Sequence, residues 1–226
     1  MAALIRITQR ALALGMLTLA LLAVGGCRNP FTPADPEPPA AGGVTEDFRT
    51  PAKLLDTITA ALADKGQSGA SAYINAFADS TQASEKAFYA FHWPAAIDAW
   101  RAVSLRDPPQ PWDLTLERAF YQYLVGYRPT ASYTLTWNDD PTSESDEIDL
   151  PSAPNLAVIH RRYTLYTSTS ETDIAVIAIG YADLYLYKAN GRWFIYRWQD
   201  RIDPDIGVNP TDPEQLSMGA RRLEST

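Results

Sequence analysis

The sequence predicts an α+β fold, with helices first and an antiparallel meander after them. Three observations carry this. Apolar residues in the first half recur at helical spacing. From about Ala131 onward they alternate with polar ones, as in half-buried strands. The dipeptide Asn190–Gly191 separates two aromatic-rich runs and reads as a two-residue hairpin turn, because both positions tolerate positive φ. Helical segments followed by consecutive strands define the α+β class. The 226 residues, 46% of them hydrophobic, suffice for one packed core.

The helices come with their own punctuation. In "TPAKLLDTITAALADKG", Thr50 is the expected N-cap, Pro51 the first helical residue and Gly66 the stop, with Leu54, Leu55, Ile58, Ala61 and Leu62 on one face. A short second helix is expected over Ser71 to Asp79, with Tyr73, Ile74 and Phe77 inward. "KAFYAFHWP" alternates and reads as a short strand ending before Pro94. One or two helical turns follow, with Ile97, Trp100 and Val103 on one side. A third helix is expected from Trp112 to Gly126, its apolar face made by Leu116, Ala119, Phe120, Tyr123 and Leu124.

The strands follow as "ASYTLTWND", "NLAVIHRRYTLYTSTS", "DIAVIAIGYADLYLYK" and "RWFIYRWQD". Gly180 is expected at a bulge or bend. Pairing the hairpin across Asn190–Gly191 puts Asp183, Tyr185, Tyr187, Phe194, Tyr196 and Trp198 on one face, and Leu184, Leu186, Trp193, Ile195 and Arg197 on the other. Both faces are too apolar to stand bare in water.

The N-terminal end calls for a different reading. Arg6 and Arg10 precede the apolar stretch Ala11 to Val24, which is short for a bilayer span, and "VGGC" closes it at Cys27, the only cysteine. This stretch resembles a bacterial lipobox. The resemblance implies a lipoprotein signal peptide over residues 1–26, a diacylglyceryl and palmitate anchor on Cys27, and attachment to a membrane. Arg28 follows the cysteine in place of the aspartate that resembles an inner-membrane retention signal, which favours the cell outer membrane. Residues 27–45, with five prolines and two glycines, read as a tether, and residues 46–226 as the folded domain.

The element order, "PWDLTLE" opening the third helix, and the closing "YADLYLYKANGRWFIYRWQD" together resemble the nuclear-transport-factor-2-like (ketosteroid-isomerase-like, SnoaL-like) superfamily, in its exported lipoprotein branch. The resemblance covers about residues 47–200 and extends to the tail "EQLSMGARRLES". It implies a cone: a strongly curved sheet wrapped around the third helix, with a pocket at its open end and a sheet face that often meets a second subunit.

Candidate chemistry is sparse. Asp183 lies mid-strand among Tyr181, Tyr185 and Trp198, where apolar surroundings would raise a carboxyl pKa and suit acid–base work; pairing with Arg197 or Arg162 is the structural alternative. His160 could meet Asp183 if their strands adjoin in register, and His92 reads as a capping or core residue. Tyr185, Tyr187, Tyr196, Trp198, Tyr163 and His160 are the pocket candidates. The acidic run from Asp139 to Asp149 lacks the spacing of a calcium loop and reads as solvated. The sequence gives no phosphate loop, nucleophile elbow or zinc-ligand pair, so neither cofactor nor metal is expected. A net charge of −8, moving to −10 once Arg6 and Arg10 leave with the signal, argues against nucleic acid.

Three functions fit. The first is a lipid-anchored, non-catalytic envelope protein that binds a small apolar ligand or another envelope protein. The second is an isomerase- or dehydratase-type enzyme with Asp183 as acid or base and Tyr185 or Tyr163 as hydrogen-bond donor. The third is a homodimeric assembly module.

Overall fold

In the computed structural model, the described residues are 43–80, 86–91, 97–98, 100–101, 104, 107–109, 111–201, 203 and 217–226. The readings placed on residues 1–42, on His92 and on Val103 lie outside them. Residues Gly42–Thr226 form one compact unit, whose core runs from Phe48 to Leu223 and is closed by its own side chains. That unit therefore has what it needs to fold by itself.

Helix α1 (Pro51–Asp64) begins as predicted: the Thr50 hydroxyl accepts a hydrogen bond from the Lys53 amide, with Pro51 in the first turn. Its end differs. Lys65, at φ 54°, takes the left-handed cap position, and Gly66 instead opens α2 (Gln67–Asn75). Lys65 tolerates this because its ammonium is tied to the carbonyls of Pro129 and Ala131. Helix α2 starts four residues earlier than expected, and Tyr73 and Phe77 are buried as expected. Gly69 lets the helices close up: a Cβ there would sit 2.4 Å from the Ala61 carbonyl.

Strand β1 (Tyr89–Phe91) is the short strand expected around Tyr89. Helix α3 (Leu114–Tyr127) is capped by Asp113, whose carboxylate accepts from the amides of Thr115 and Leu116. Its buried face is Glu117, Phe120, Tyr121 and Leu124, turned by one position from the apolar stripe, so that Ala119 is exposed. The cause is Glu117, whose carboxylate points into the interior.

The sheet runs β1–β6–β5–β4–β2, built from β2 (Ser132–Asp139), β4 (Ala153–Ser170), β5 (Asp173–Ala189) and β6 (Arg192–Arg201). It is curved and mostly antiparallel, with one amendment: edge strand β1 pairs in parallel with β6. A further strand, β3 (Glu147–Leu150), pairs with the start of β4 inside the acidic segment that had read as a loop. The α+β fold, with helices on a curved sheet, is what the sequence predicted.

The hairpin turns at Asn190 (φ 51°) and Gly191 (φ 76°), as a two-residue loop should. The expected pairs hold from Ala189/Arg192 to Leu186/Ile195. There a bulge adds Tyr196 to β6, and Tyr185 faces Arg197 instead of Tyr196. Every residue of β6 beyond the bulge changes face. Trp198 turns into the core opposite Leu184, and Arg197 turns outward beside Tyr185. Gly180 is not at the β5 bulge, which falls at Ile177. It is small because the Tyr163 hydroxyl and the Arg201 carbonyl would each lie 2.7 Å from a Cβ there.

Helix α4 (Met218–Glu224) carries the C-terminus back into the core. Ser217 caps it, and Met218, Arg222 and Leu223 are buried.

Candidate functional site

Two polar clusters lie on opposite faces of the sheet. The inner one sits between the sheet and α3. Glu117 and Arg222, both wholly buried, meet in a two-pronged ion pair at 2.8 Å on each oxygen. Glu117 also accepts from the Tyr73 hydroxyl at 2.7 Å and the Trp112 indole N–H at 2.8 Å. Burial opposes the Glu117 charge, but the Arg222 guanidinium and these donors outweigh it and hold the carboxyl below its usual range. The guanidinium packs 4.4 Å from the centre of the Trp198 ring. Its Nη1 and the Trp198 indole N–H are buried donors without an acceptor among the described residues.

Beside this pair lies Asp200. Tyr163 donates its hydroxyl to one Asp200 oxygen at 2.6 Å, and the Gly219 amide donates to the other at 3.0 Å. Burial pushes the Asp200 carboxyl up, only partly offset by hydrogen bonds from Ser217 and Tyr163. The Tyr163 hydroxyl also accepts from the Met218 amide, and burial with the nearby Asp200 charge raises its pKa well above the usual phenol value. Helix α4 thus supplies a partner to each of Glu117, Asp200 and Tyr163.

The outer cluster centres on Asp183. Strands β4 and β5 set His160 directly opposite Asp183, the register that the sequence left open. The His160 Nδ1 meets Asp183 Oδ1 at 2.7 Å, where an ionised carboxylate accepts a hydrogen bond from Nδ1–H. Arg201 donates to the same oxygen at 2.9 Å and to Asp140 at 2.6 Å. Neither Arg197 nor Arg162 is the partner: Arg197 stacks on Tyr185, and Arg162 pairs with Asp203. Burial opposes the charge of Asp140, but hydrogen bonds from Ser143, Thr142 and Arg201 hold its carboxyl well below the usual range. Asp146 pairs with Arg161 at 2.6 Å. Parts of the acidic segment are therefore fastened to strand arginines.

The pocket candidates fall into two groups that do not meet. Tyr163 and Trp198 are buried on the inner face. His160, Tyr185, Tyr187 and Tyr196 lie half-buried on the outer face with Asp183. Sequence reasoning missed Glu117, Arg222 and Asp200. Glu117 sat in a helical stripe as a polar interruption, and Asp200 changes face only through the bulge. A cleft of about 320 Å³ between α2 and α3, lined by Gln67, Ser71, Ile74, Arg118, Tyr121 and Gln122, is separate from both clusters. Among the described residues no group of three acids or histidines could hold a metal ion, and no helix is long and apolar enough to cross a membrane.

No family model and no curated protein matches the chain. Solved structures do. A protein of unknown function from Mycobacterium tuberculosis is 12% identical, covers 77% of this chain and 85% of its own, and gives a TM-score of 0.48. The beta subunit of benzoate 1,2-dioxygenase from Burkholderia mallei is 12% identical over 76% of this chain and 99% of its own, at 0.43. A protein of unknown function with a cystatin-like fold from Nostoc punctiforme is 14% identical over 68% and 88%, at 0.39. At these identities and scores the likenesses carry no argument about what the chain does.

Proposed function

We propose that this chain is a lipid-anchored cell-envelope protein whose folded domain binds without catalysing. The observation that carries the non-catalytic part is the filling of the interior by α4. Arg222 takes up the Glu117 carboxylate, and the start of the helix takes up Asp200 and Tyr163. The acid–base groups of the interior are spent on the fold. Anchoring rests on the lipobox-like stretch ending at Cys27. Radiolabelled palmitate fed to cells expressing the chain should label it, and Cys27→Ser should abolish the label. A labelled Cys27→Ser chain would end the anchoring reading.

One observation favours the enzyme reading: the 2.7 Å contact of His160 with Asp183. With Nδ1–H held by the carboxylate, Nε2 is set up as a base, in the manner of oriented histidine dyads. This base would work from the outer sheet face. Deuterium exchange alpha to the carbonyl of a panel of apolar ketones tests it. Exchange at the buffer rate with the wild type dismisses it, and exchange lost in Asp183→Asn establishes it.

A further inference from the structure

The outer face of β1, β5 and β6 carries a strip of cations seated on aromatic rings. Arg192 lies 4.7 Å from the ring centre of Phe48 and 5.5 Å from that of Phe194. Lys86 lies 4.7 Å from Tyr196. Arg197 is held between Tyr185 at 4.4 Å and Phe91 at 4.8 Å. Phe91 is 44% exposed, and Tyr89 packs against it at 5.2 Å.

Arg197 stands apart from the other strand arginines. Arg161, Arg162, Arg192 and Arg201 each pair with a carboxylate. Arg197 has none among the described residues; its Nη2 donates to the neutral Gln199 side chain, and its Nε has no partner. In a chain with net charge −8, an acid-free cation stacked on rings at the surface is a local reversal of sign.

The position of the strip indicates what covers it. The described chain begins at residue 43, and Glu46 pairs with Arg192 at the hairpin end of the strip. Sixteen residue-to-residue steps separate position 43 from Cys27 in the sequence. Even fully extended they span no more than about 55 Å. We propose that this face lies on an anionic lipid surface, with Arg197 at the headgroups and the tyrosines and Phe91 at the interface. The inference rests on the anchoring reading for the nearness of the membrane.

Two kinds of physics support it. Tyrosine with lysine or arginine is the pairing that membrane interfaces favour, since each side chain has an apolar body and a polar tip. Stacking also pins the guanidinium before it meets its partner, so less side-chain freedom is lost on docking. A second copy fits less well. A two-fold contact whose axis passes at Arg197 would set it against its own counterpart with no acid between them.

The test uses residues 43–226, which lack Cys27 and so cannot anchor through an acyl chain. Flotation with vesicles of phosphatidylglycerol and phosphatidylethanolamine is compared with flotation on phosphatidylcholine alone. We expect binding to the anionic vesicles only, lost in 0.5 M salt. Arg197→Gln should weaken it about fivefold, the equivalent of about 1 kcal/mol for one cation at such a surface. Phe91→Ser, at an exposed position, should weaken it too and serves as the probe if Arg197→Gln does not fold. Absence of flotation, equal flotation on both vesicle types, or a salt-insensitive dimer weakened by Arg197→Gln would each overturn the proposal. Palmitate labelling of the full chain reports on the anchor separately, so the two readings can fail independently.

Discussion

The inner and outer clusters use the same side-chain chemistry to different ends. Inside, Glu117 and Arg222 have no exposed side-chain surface, and Glu117 takes two further hydrogen bonds, from Tyr73 and Trp112. Outside, Asp183 and His160 keep 15% and 19% of their side chains exposed, and Arg201 keeps 25%. A charge pair without water must be matched by the fold or the fold fails, because the cost of desolvation is met only by the partner. A pair that keeps some contact with water can be rearranged at smaller cost. The inner cluster is therefore the one whose charges cannot be removed singly, and the outer cluster is the one that tolerates rearrangement.

The largest expected effect comes from cutting the inner pair. Arg222→Met leaves Glu117 buried without its counter-charge, and should cost about 3–5 kcal/mol in urea unfolding of residues 43–226. Glu117→Gln combined with Arg222→Met should recover most of that loss. If the single variant is as stable as the wild type, the inner cluster is not the structural one. Gly180→Ala should come next, at about 1–3 kcal/mol, since its methyl would press on the Tyr163 hydroxyl and the Arg201 carbonyl. Asp183→Asn should cost only about 1 kcal/mol, because water can replace part of what the carboxylate gave His160 and Arg201. A loss as large as that of Arg222→Met would erase the contrast between the faces. At the small end, Asp56→Asn removes an exposed pair with Lys53 and should shift stability by no more than about 0.5 kcal/mol.

Acidity sharpens the same contrast. Glu117, Asp140 and Asp146 have folded pKa values below their unfolded ones. Their stabilisation is complete above the usual carboxylate range, near pH 4, and is lost as pH falls below it. Asp200 has the opposite sign: raised by burial, it is most favourable at low pH, and its contribution falls as pH climbs from about 4 through its folded value. Asp140→Asn should therefore flatten the acid limb of a stability–pH curve, and Asp200→Asn the limb above pH 4. A curve unchanged by Asp200→Asn would mean that its burial does not raise its pKa.

The readings that came true were those decided within a few residues. Thr50 and Pro51 start α1, Asn190–Gly191 turns the hairpin, and the switch from helical to alternating spacing near Ala131 marks where the antiparallel strands begin. Local sterics and capping dictate these, so the sequence alone determined the α+β order and the buried apolar faces of α1 and α2.

What the tertiary structure decided was which polar groups meet. Glu117 could not be told from a solvent-facing helix residue until α4 returned from over a hundred positions away to bring Arg222 against it. One added residue at Tyr196 moved Trp198 inward and Arg197 outward, and with them the contents of both faces, because side-chain direction in a strand has period two. The pairing of His160 with Asp183 needed a register that only β4 and β5 in contact could set. Local rules fix elements, whereas buried charge is settled by partners distant in the chain, since only the folded core excludes the water that would otherwise satisfy it.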